Sequence, residues 1–583
     1  MIPVYIFKGI PVAEGVAVSL ASKYYPRASV EVPPECRAGE KDLEKLSGAL
    51  ERYKRYLSEL LEIVDESERD LVQAYSLIAE TLVGEARELV EGNSVCGELA
   101  LKRVLDKYID LMEESGSELF ALRRNDLMDV ALTLIEYMSG EAVQGEIVNA
   151  RDKIVVAEEL TPTAFLRLHR VGVKGIVTVK GGVTSHVAIL ARTYGIPYVI
   201  VPSPEVMNIS DGSLIVVDGF EGKVIVDPSR ELVEEYMIKV GFLRELGSVL
   251  REYAFRRAVT LDGQEALILC NIGNVEDGRV ASTQGCDGVG LFRVEYLYMS
   301  TRPPNEEILI RSFTKVAGFF ENKPVVIRAP DLGADKLPPF LSIREDNPLL
   351  GLRGIRLLLE YRSSILEPFL RGFLKAYGAS SNLKLMIPMV SRPSEVYEFI
   401  EVLESTASRL GLSYPSELEL GIMIETPSSA VLIDKFAKIP HIKFVSFGTN
   451  DLTQYILAVD RTNPKLASLY NELEPSVLRV VAKSVEDALR YGVHVEVCGE
   501  IASKPLAIPI LLALGIRTLS INPRYVGLIK YVINNLELKR FEHLRGKILD
   551  ADDAKMVEDI VVNSLRSHNI DLRSVLLFSR TSS

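Results

Sequence analysis

From residue 260 onward, short apolar segments alternate with helical ones, and this rhythm constrains the fold more than any other feature of the chain. The strand candidates are 266–270, 289–292, 325–327, 384–387, 421–424, 444–446, 494–497 and 518–521. Alternating strands and helices imply a parallel sheet, and eight such units predict a (β/α)8 TIM barrel. The polar residues support this reading. Asn271, Arg293, Arg328, Glu425, Asn450, Asp451 and Cys498 all fall just beyond the C-terminal end of a predicted strand. In a barrel those ends converge on one face, so residues far apart in the chain share one mouth.

The first part of the chain has a different texture. Residues 1–30 alternate apolar and small residues with Gly and Pro, which reads as strands. Leu43, Leu46, Leu50, Tyr53, Leu57, Leu60 and Val64 then recur at alternating spacings of three and four, one face of a helix. Helical spacing continues to about Met138, broken at Gly92-Asn93 and Ser115-Gly116-Ser117, as in a helical bundle. Strand-like sequence returns near residue 147, so the bundle reads as an insert in an α/β domain. The expectation is a multidomain α/β protein. Residues 1–31 and 142–228 form a discontinuous α/β domain, 32–141 the helical insert, 229–258 a charged linker helix, and 259–583 the barrel.

Composition narrows the partners. The net charge of −13, from 67 basic and 80 acidic residues, argues against nucleic acid and anionic membrane. It leaves room for a small anionic substrate held by a local cluster of arginines. The five cysteines, Cys36, Cys96, Cys270, Cys286 and Cys498, show no paired spacing and suit a reducing cytoplasm. The N-terminus lacks the basic start and apolar run of a signal peptide, and no uninterrupted apolar run reaches membrane-spanning length. Only five glutamines and no tryptophan are present, a weak sign of a thermophilic source.

Two motifs carry the chemistry. Gly181-Gly182-Val183-Thr184-Ser185-His186 opens a short apolar helix. Unpaired amides at a helix start suit an anion, and a histidine there can carry a phosphoryl group. Alone, such a histidine also reads as the cap of a buried helix. The second motif is Ser446-Phe447-Gly448-Thr449-Asn450-Asp451-Leu452-Thr453-Gln454, ending in Arg461. Glu425 and Asp451 end adjacent predicted strands, and two carboxylates plus substrate oxygens and water suit octahedral Mg²⁺. Arg293, Arg328, Arg353, Arg461 and Lys336 supply positive charge for a substrate bearing both phosphate and carboxylate. Cys498 can give a proton to a carbanion, or can be a small buried apolar residue. Taken together, the motifs point to phosphoryl transfer through a phosphohistidine.

The chain resembles the phosphoenolpyruvate-utilising enzymes, and within them enzyme I of the bacterial sugar phosphotransferase system. The resemblance runs through Gly9–Val18, Leu160-Thr161-Pro162, the His186 motif, Gly288–Glu295, Arg328–Lys336, Asn347–Arg353, Ile424–Pro427, Ser446–Arg461 and Cys498-Gly499-Glu500. It implies a swivelling phosphohistidine α/β domain, an inserted helical domain that docks a small histidine phosphocarrier protein, and a barrel that binds phosphoenolpyruvate. His186 is then the phosphorylated residue and Cys498 the proton donor. Glu425 and Asp451 are the Mg²⁺ ligands, and Arg293, Arg328, Asn450 and Arg461 hold the substrate, with Arg353 and Lys336 nearby. The family also implies a homodimer through the barrel and a cytoplasmic enzyme that releases pyruvate in the first step of sugar uptake. A pyruvate phosphate dikinase or phosphoenolpyruvate synthase relative, or a silent regulator on this scaffold, is the alternative. The former needs a nucleotide-binding domain for which the chain has no room.

The insert departs from the family pattern. Tyr75 stands where the family usually has His, and Met128 where it has Arg. The carrier is expected on the exposed face of residues 72–82 and 126–134, with Tyr75 and Met128 making the contact more apolar and less salt-sensitive.

Overall fold

A computed structural model describes residues 5–24, 35–39, 41–61, 66–93, 95–114, 118–139, 149–182, 185–334, 336–412, 417–461, 463, 465–566, 568, 570 and 575. The chain divides into two compact units, Met1–Glu245 and Leu246–Ser583.

In the first unit, eight strands form one sheet. They are β1 (Tyr5–Lys8), β2 (Ile10–Ala13), β3 (Val16–Tyr24), β4 (Ile154–Ala157), β5 (Gly175–Thr178), β6 (Tyr198–Ile200), β7 (Leu214–Asp218) and β8 (Lys223–Val226). Their order is β1-β8-β7-β3-β4-β5-β6-β2. The strands β3 to β6 run parallel, and the pairings at the flanks are antiparallel. Because β3 pairs directly with β4, more than a hundred residues leave and re-enter the sheet between neighbouring strands. Among the described residues, four helices lie in that gap: Asp42–Leu61, Glu66–Asn93, Gly97–Glu114 and Glu118–Ser139.

The leucine seam is the bundle core. Leu46, Tyr53 and Leu57 are buried, with Leu43 and Leu50 packed at its margin. The Leu60 side chain and Val64 lie outside the described residues. Burial of one apolar stripe per helix is what holds such a bundle together. The Tyr75 expectation is corrected here. Tyr75 is only 2% exposed, in line with buried Ala79, Leu82, Val83, Ala86 and Val90. Its spacing belongs to the inner face, so it packs the core and presents nothing to a partner. Met128 is half-buried against the same core.

In the second unit, β10 (Glu265–Ile272), β11 (Val289–Phe292), β12 (Val325–Arg328), β13 (Leu383–Ile387), β14 (Leu420–Ile424), β15 (Ile442–Phe447), β16 (His494–Val497) and β17 (Thr518–Ile521) pair in parallel. A further pairing of β10 with β11 closes the ring. The short β9 (Ala258–Val259) pairs antiparallel with the start of β10. All eight expected strands are therefore present, and they close as a TIM barrel. Leu291, Val326, Met386, Met423, Phe444 and Cys498 form an apolar cluster of their own, separate from the main core of the unit.

The cysteines depart from expectation. Cys36 pairs with Cys96 and Cys270 with Cys286, while Cys498 is free and buried. Partners 60 and 16 residues apart share no motif spacing, and only the fold brings them together. Among the described residues, no helix is long and apolar enough to cross a membrane.

Candidate active site

In the first unit, the helix His186–Thr193 follows the parallel strand β5. Ser185 caps it, its hydroxyl accepting the Ala188 amide at 3.3 Å. This is the usual way a helix start satisfies one of its orphan amides. The far end is anchored where Arg192 Nε donates to the Val12 carbonyl at 2.8 Å. His186 is the first helical residue; Val183, Thr184 and the His186 side chain lie outside the described residues.

In the barrel, Arg328, Lys336 and Arg353 gather around one buried acid, Asp331, just beyond the C-terminal end of β12. Arg353 donates to both its oxygens, Nε to Oδ1 at 3.0 Å and Nη2 to Oδ2 at 2.9 Å. Lys336 Nζ lies 3.2 Å from Oδ2 and Arg328 Nη2 lies 3.5 Å from it. Burial opposes the charge on Asp331, but Lys336, Arg328 and Arg353 outweigh it and hold the carboxyl well below its ordinary range. Arg353 also reaches Asp451, Nη1 to Oδ1 at 2.8 Å and Nη2 to Oδ2 at 3.1 Å. Arg461 Nη2 stands 3.7 Å from Asp451 Oδ2. One guanidinium thus joins the loop after β12 to the helix Thr449–Leu457 that follows β15.

The backbone makes room for this. Gly354 has φ of 58°, and a Cβ there would fall 2.6 Å from Met389 Cβ. Only glycine follows Arg353 without displacing that neighbour. Met389 itself has φ of 55°, an uncommon conformation for a side-chain-bearing residue. Its amide donates to Glu425 Oε1 at 2.6 Å. Backbone held in this way clusters at functional sites.

Arg328 is buried and donates to Glu295 Oε1 at 2.6 Å, and the Asp331 amide donates to the same oxygen at 2.9 Å. The Arg328 Nε has no partner among the described residues. Arg293 is exposed and has no ion-pair partner among them. Asn450 Oδ1 accepts the Glu500 amide at 2.8 Å, and its NH2 group makes no hydrogen bond among the described residues.

Glu425 is 1% exposed, and its pKa is pushed up to about 7 by burial first and by Asp331 and Asp451 next. Its Oε2 makes no hydrogen bond among the described residues. Among those residues no three acids, histidines or cysteines converge tightly enough to hold an ion by themselves. Glu425 and Asp451 do offer hard oxygens to a divalent cation completed by substrate and water, and added positive charge relieves their repulsion.

Cys498 is 2% exposed, and burial pushes its thiol up to about 11. The thiol donates to the Phe447 carbonyl at 3.7 Å. A neutral thiol at physiological pH is a proton donor, not a nucleophile.

The barrel mouth thus gathers Arg328, Lys336, Arg353, Asp451 and Arg461 in one ion-pair network, with Glu425 beside its acids. Glu295 and Asp331, which hold the cations apart, were assigned no role from the sequence. Both sit inside recognised motifs, Gly288–Glu295 and Arg328–Lys336, where their proximity to Arg293 and Lys336 was the available signal.

Three family profiles match the chain in order. They are described as PEP-utilising enzyme, N-terminal, over residues 8–123; mobile domain, over 149–222; and PEP-binding domain, over 250–538. A phosphoenolpyruvate-protein phosphotransferase of Priestia megaterium is 34% identical over 568 residues, 95% of this chain and 98% of that protein. One from Bacillus subtilis (strain 168) is 33% identical over 573 residues, 96% and 99% of the two chains. One from Borreliella burgdorferi is 35% identical over 476 residues, 80% and 81% of the two.

Proposed function

The chain belongs to the phosphoenolpyruvate-utilising enzymes as a phosphoenolpyruvate-protein phosphotransferase, and we propose a role for each of its site residues on that premise. Its function is phosphoenolpyruvate-dependent phosphoryl transfer in the sugar phosphotransferase system; the dikinase-like and silent readings are not favoured. The observation that carries the residue assignment is the chain of contacts from Arg328 through Asp331 and Arg353 to Asp451. It joins cations and carboxylates in one buried network, and the Cys498 thiol lies within electrostatic reach of Glu425, Arg328 and Arg293.

Arg293, Arg328 and Arg461 bind the phosphate and carboxylate of phosphoenolpyruvate, with Lys336 and Arg353 setting the local charge and Asn450 donating through its amide. Glu425 and Asp451 would hold Mg²⁺. When bound, the ion supplies Lewis-acid stabilisation of the charge that develops on the phosphoryl and enol oxygens. A neutral ring nitrogen of His186 attacks phosphorus in line. The N–P bond forms as the bond from phosphorus to the enol oxygen breaks. Cys498 then gives its Sγ proton to the methylene carbon of the enolate. That makes pyruvate, and solvent restores the thiol.

His186 next passes the group to a histidine phosphocarrier protein docked on the helical insert. Since Tyr75 is internal, the docking face is the outward side of the helix Glu66–Asn93, where Leu77 is exposed. The helix Arg230–Ala254 is the hinge region between the units, and the barrel forms the homodimer. We place the enzyme in the cytoplasm. Disulfides persist there in hyperthermophiles, a setting the scarcity of glutamine fits.

The experiment is to supply radiolabelled phosphoenolpyruvate with Mg²⁺. The expected product is one acid-labile, base-stable phosphate per chain, chased onto the source organism's carrier protein with stoichiometric pyruvate. Label that never leaves the chain for any carrier would end the assignment of the acceptor.

A further inference from the structure

Two loops at the barrel mouth must keep a fixed separation if Asp451 and Cys498 are to act on one substrate. The first is the turn Gly448–Asp451 after β15, and the second is Cys498–Ile501 after β16. They meet closely, and the Asn450 side chain already accepts the Glu500 amide across the junction at 2.8 Å. A Cβ on Gly499 would lie 1.8 Å from Thr449 Oγ1 and 2.7 Å from the Thr449 amide nitrogen. Both loops share a ligand that no motif reveals. Glu472 is 1% exposed, and its Oε1 accepts the Thr449 hydroxyl and, at 3.2 Å, the Ile501 amide. Its other oxygen, Oε2, lies 3.0 Å from Lys504 Nζ as an ion pair rather than a directed hydrogen bond.

The same short segment holds the first loop again. Tyr470 Oη donates to the Asn450 carbonyl at 3.0 Å, two residues before Glu472. A buried carboxylate is tolerated only when paired and hydrogen-bonded, and this one spends its bonds on one group from each loop.

We propose that Glu472, countered by Lys504, is a positioning residue that sets the distance between the Asp451 turn and the Cys498 loop, and so aims the thiol at the substrate carbon. The proposal rests on the proton-donor role proposed above for Cys498. Glu472 touches neither substrate nor metal in this reading. Its effect falls on the proton-transfer geometry, where misplacement of about 1 Å costs roughly 100-fold.

The test uses the full chain and phosphoenolpyruvate stereospecifically labelled at its methylene carbon with tritium, turned over in D2O. Wild type is expected to protonate one face and give a chiral methyl group in pyruvate. Glu472→Ala is expected to lower kcat by about 10- to 100-fold with KM within about threefold. Its methyl group should lose chirality. Glu472→Gln keeps an acceptor oxygen for Thr449 and Ile501 and should restore both kcat, to within about threefold, and one-sided protonation.

If Glu472→Ala does not fold, Thr449→Val removes one of the two donors at nearly constant volume and should show the same change in smaller measure. A variant with wild-type kcat, or one that is slow but still gives a fully chiral methyl group, returns Glu472 to a purely structural role. A racemic methyl group from wild type would instead remove the Cys498 reading, and this proposal with it.

Discussion

Arg353 grips Asp451 with two parallel hydrogen bonds, at 2.8 and 3.1 Å, while holding both oxygens of Asp331 with the same guanidinium. It is 1% exposed and among the largest fully buried side chains of the protein. The fork shape is what the site uses, because lysine offers a point charge and cannot bridge two carboxylates in a plane.

Arg353→Lys is therefore expected to fold and yet lose most turnover. Arg353→Met leaves two buried acids short of their partner, and loss of one side of a buried pair costs about 3–5 kcal/mol. Calorimetry of the barrel transition separates the two. A Met variant as stable as wild type would show that the acids find other partners.

His186→Ala should abolish phosphorylation by phosphoenolpyruvate while leaving the fold and the barrel's substrate binding intact. Mass spectrometry of the intact chain reads the first, and isothermal titration the second. Phosphate retained by the variant would place the acceptor elsewhere.

Cys498→Ala should slow pyruvate formation by about 10²–10⁴-fold, the usual range for loss of a general acid. Affinity for substrate should change little, since the arginines carry it. Because burial raises the Cys498 thiol to about 11, wild-type activity should show no alkaline loss attributable to Cys498 between pH 7 and about 9. A pH–rate profile checks both statements.

Glu496, on β16, is 2% exposed, and burial pushes its carboxyl from an ordinary value of 4.5 to about 7. Lys384 opposes the shift and Glu419 adds to it. The folded state therefore binds this proton more tightly than the unfolded chain does. That stabilisation is fully present below about pH 4.5 and is lost as pH rises through 7. Glu496→Gln should match wild type near pH 4.5 and exceed it at pH 8, by at most about 3 kcal/mol. Equal melting temperatures at pH 8 would count against the raised value.

Each disulfide closes a loop, of 60 residues for Cys36–Cys96 and 16 for Cys270–Cys286. On chain entropy the two are worth about 4 and about 3 kcal/mol. Cys36→Ser should lower only the transition of the first unit, and Cys270→Ser only that of the barrel. Differential scanning calorimetry with and without reductant reads each, and an unmoved transition would mean the bond does not form in solution.

Local pattern was enough for the elements. Short apolar runs and the spacing of leucines report burial along one strand or one helix, so the eight barrel strands and the Leu46–Tyr53–Leu57 face were legible in the chain alone. So was the ring of polar residues beyond the strand ends, because strand direction in a parallel barrel leaves them one face to share. Pairing was not legible. Which carboxylates Arg353 spans, and that Glu472 bridges loops led by Thr449 and Gly499, depend on the register of strands that are distant in sequence. Tyr75 shows the limit from the other side: its motif position suggested a surface, while the helix phase set by Ala79, Leu82 and Val83 turned it inward. The cysteine pairs belong to the same class, since covalent partners 60 residues apart are neighbours only after the bundle has closed. Sequence by itself determined what each segment buries and which chemistry is available. Tertiary structure decided which charges meet, because an ion pair needs distances of a few ångströms that only packed elements impose.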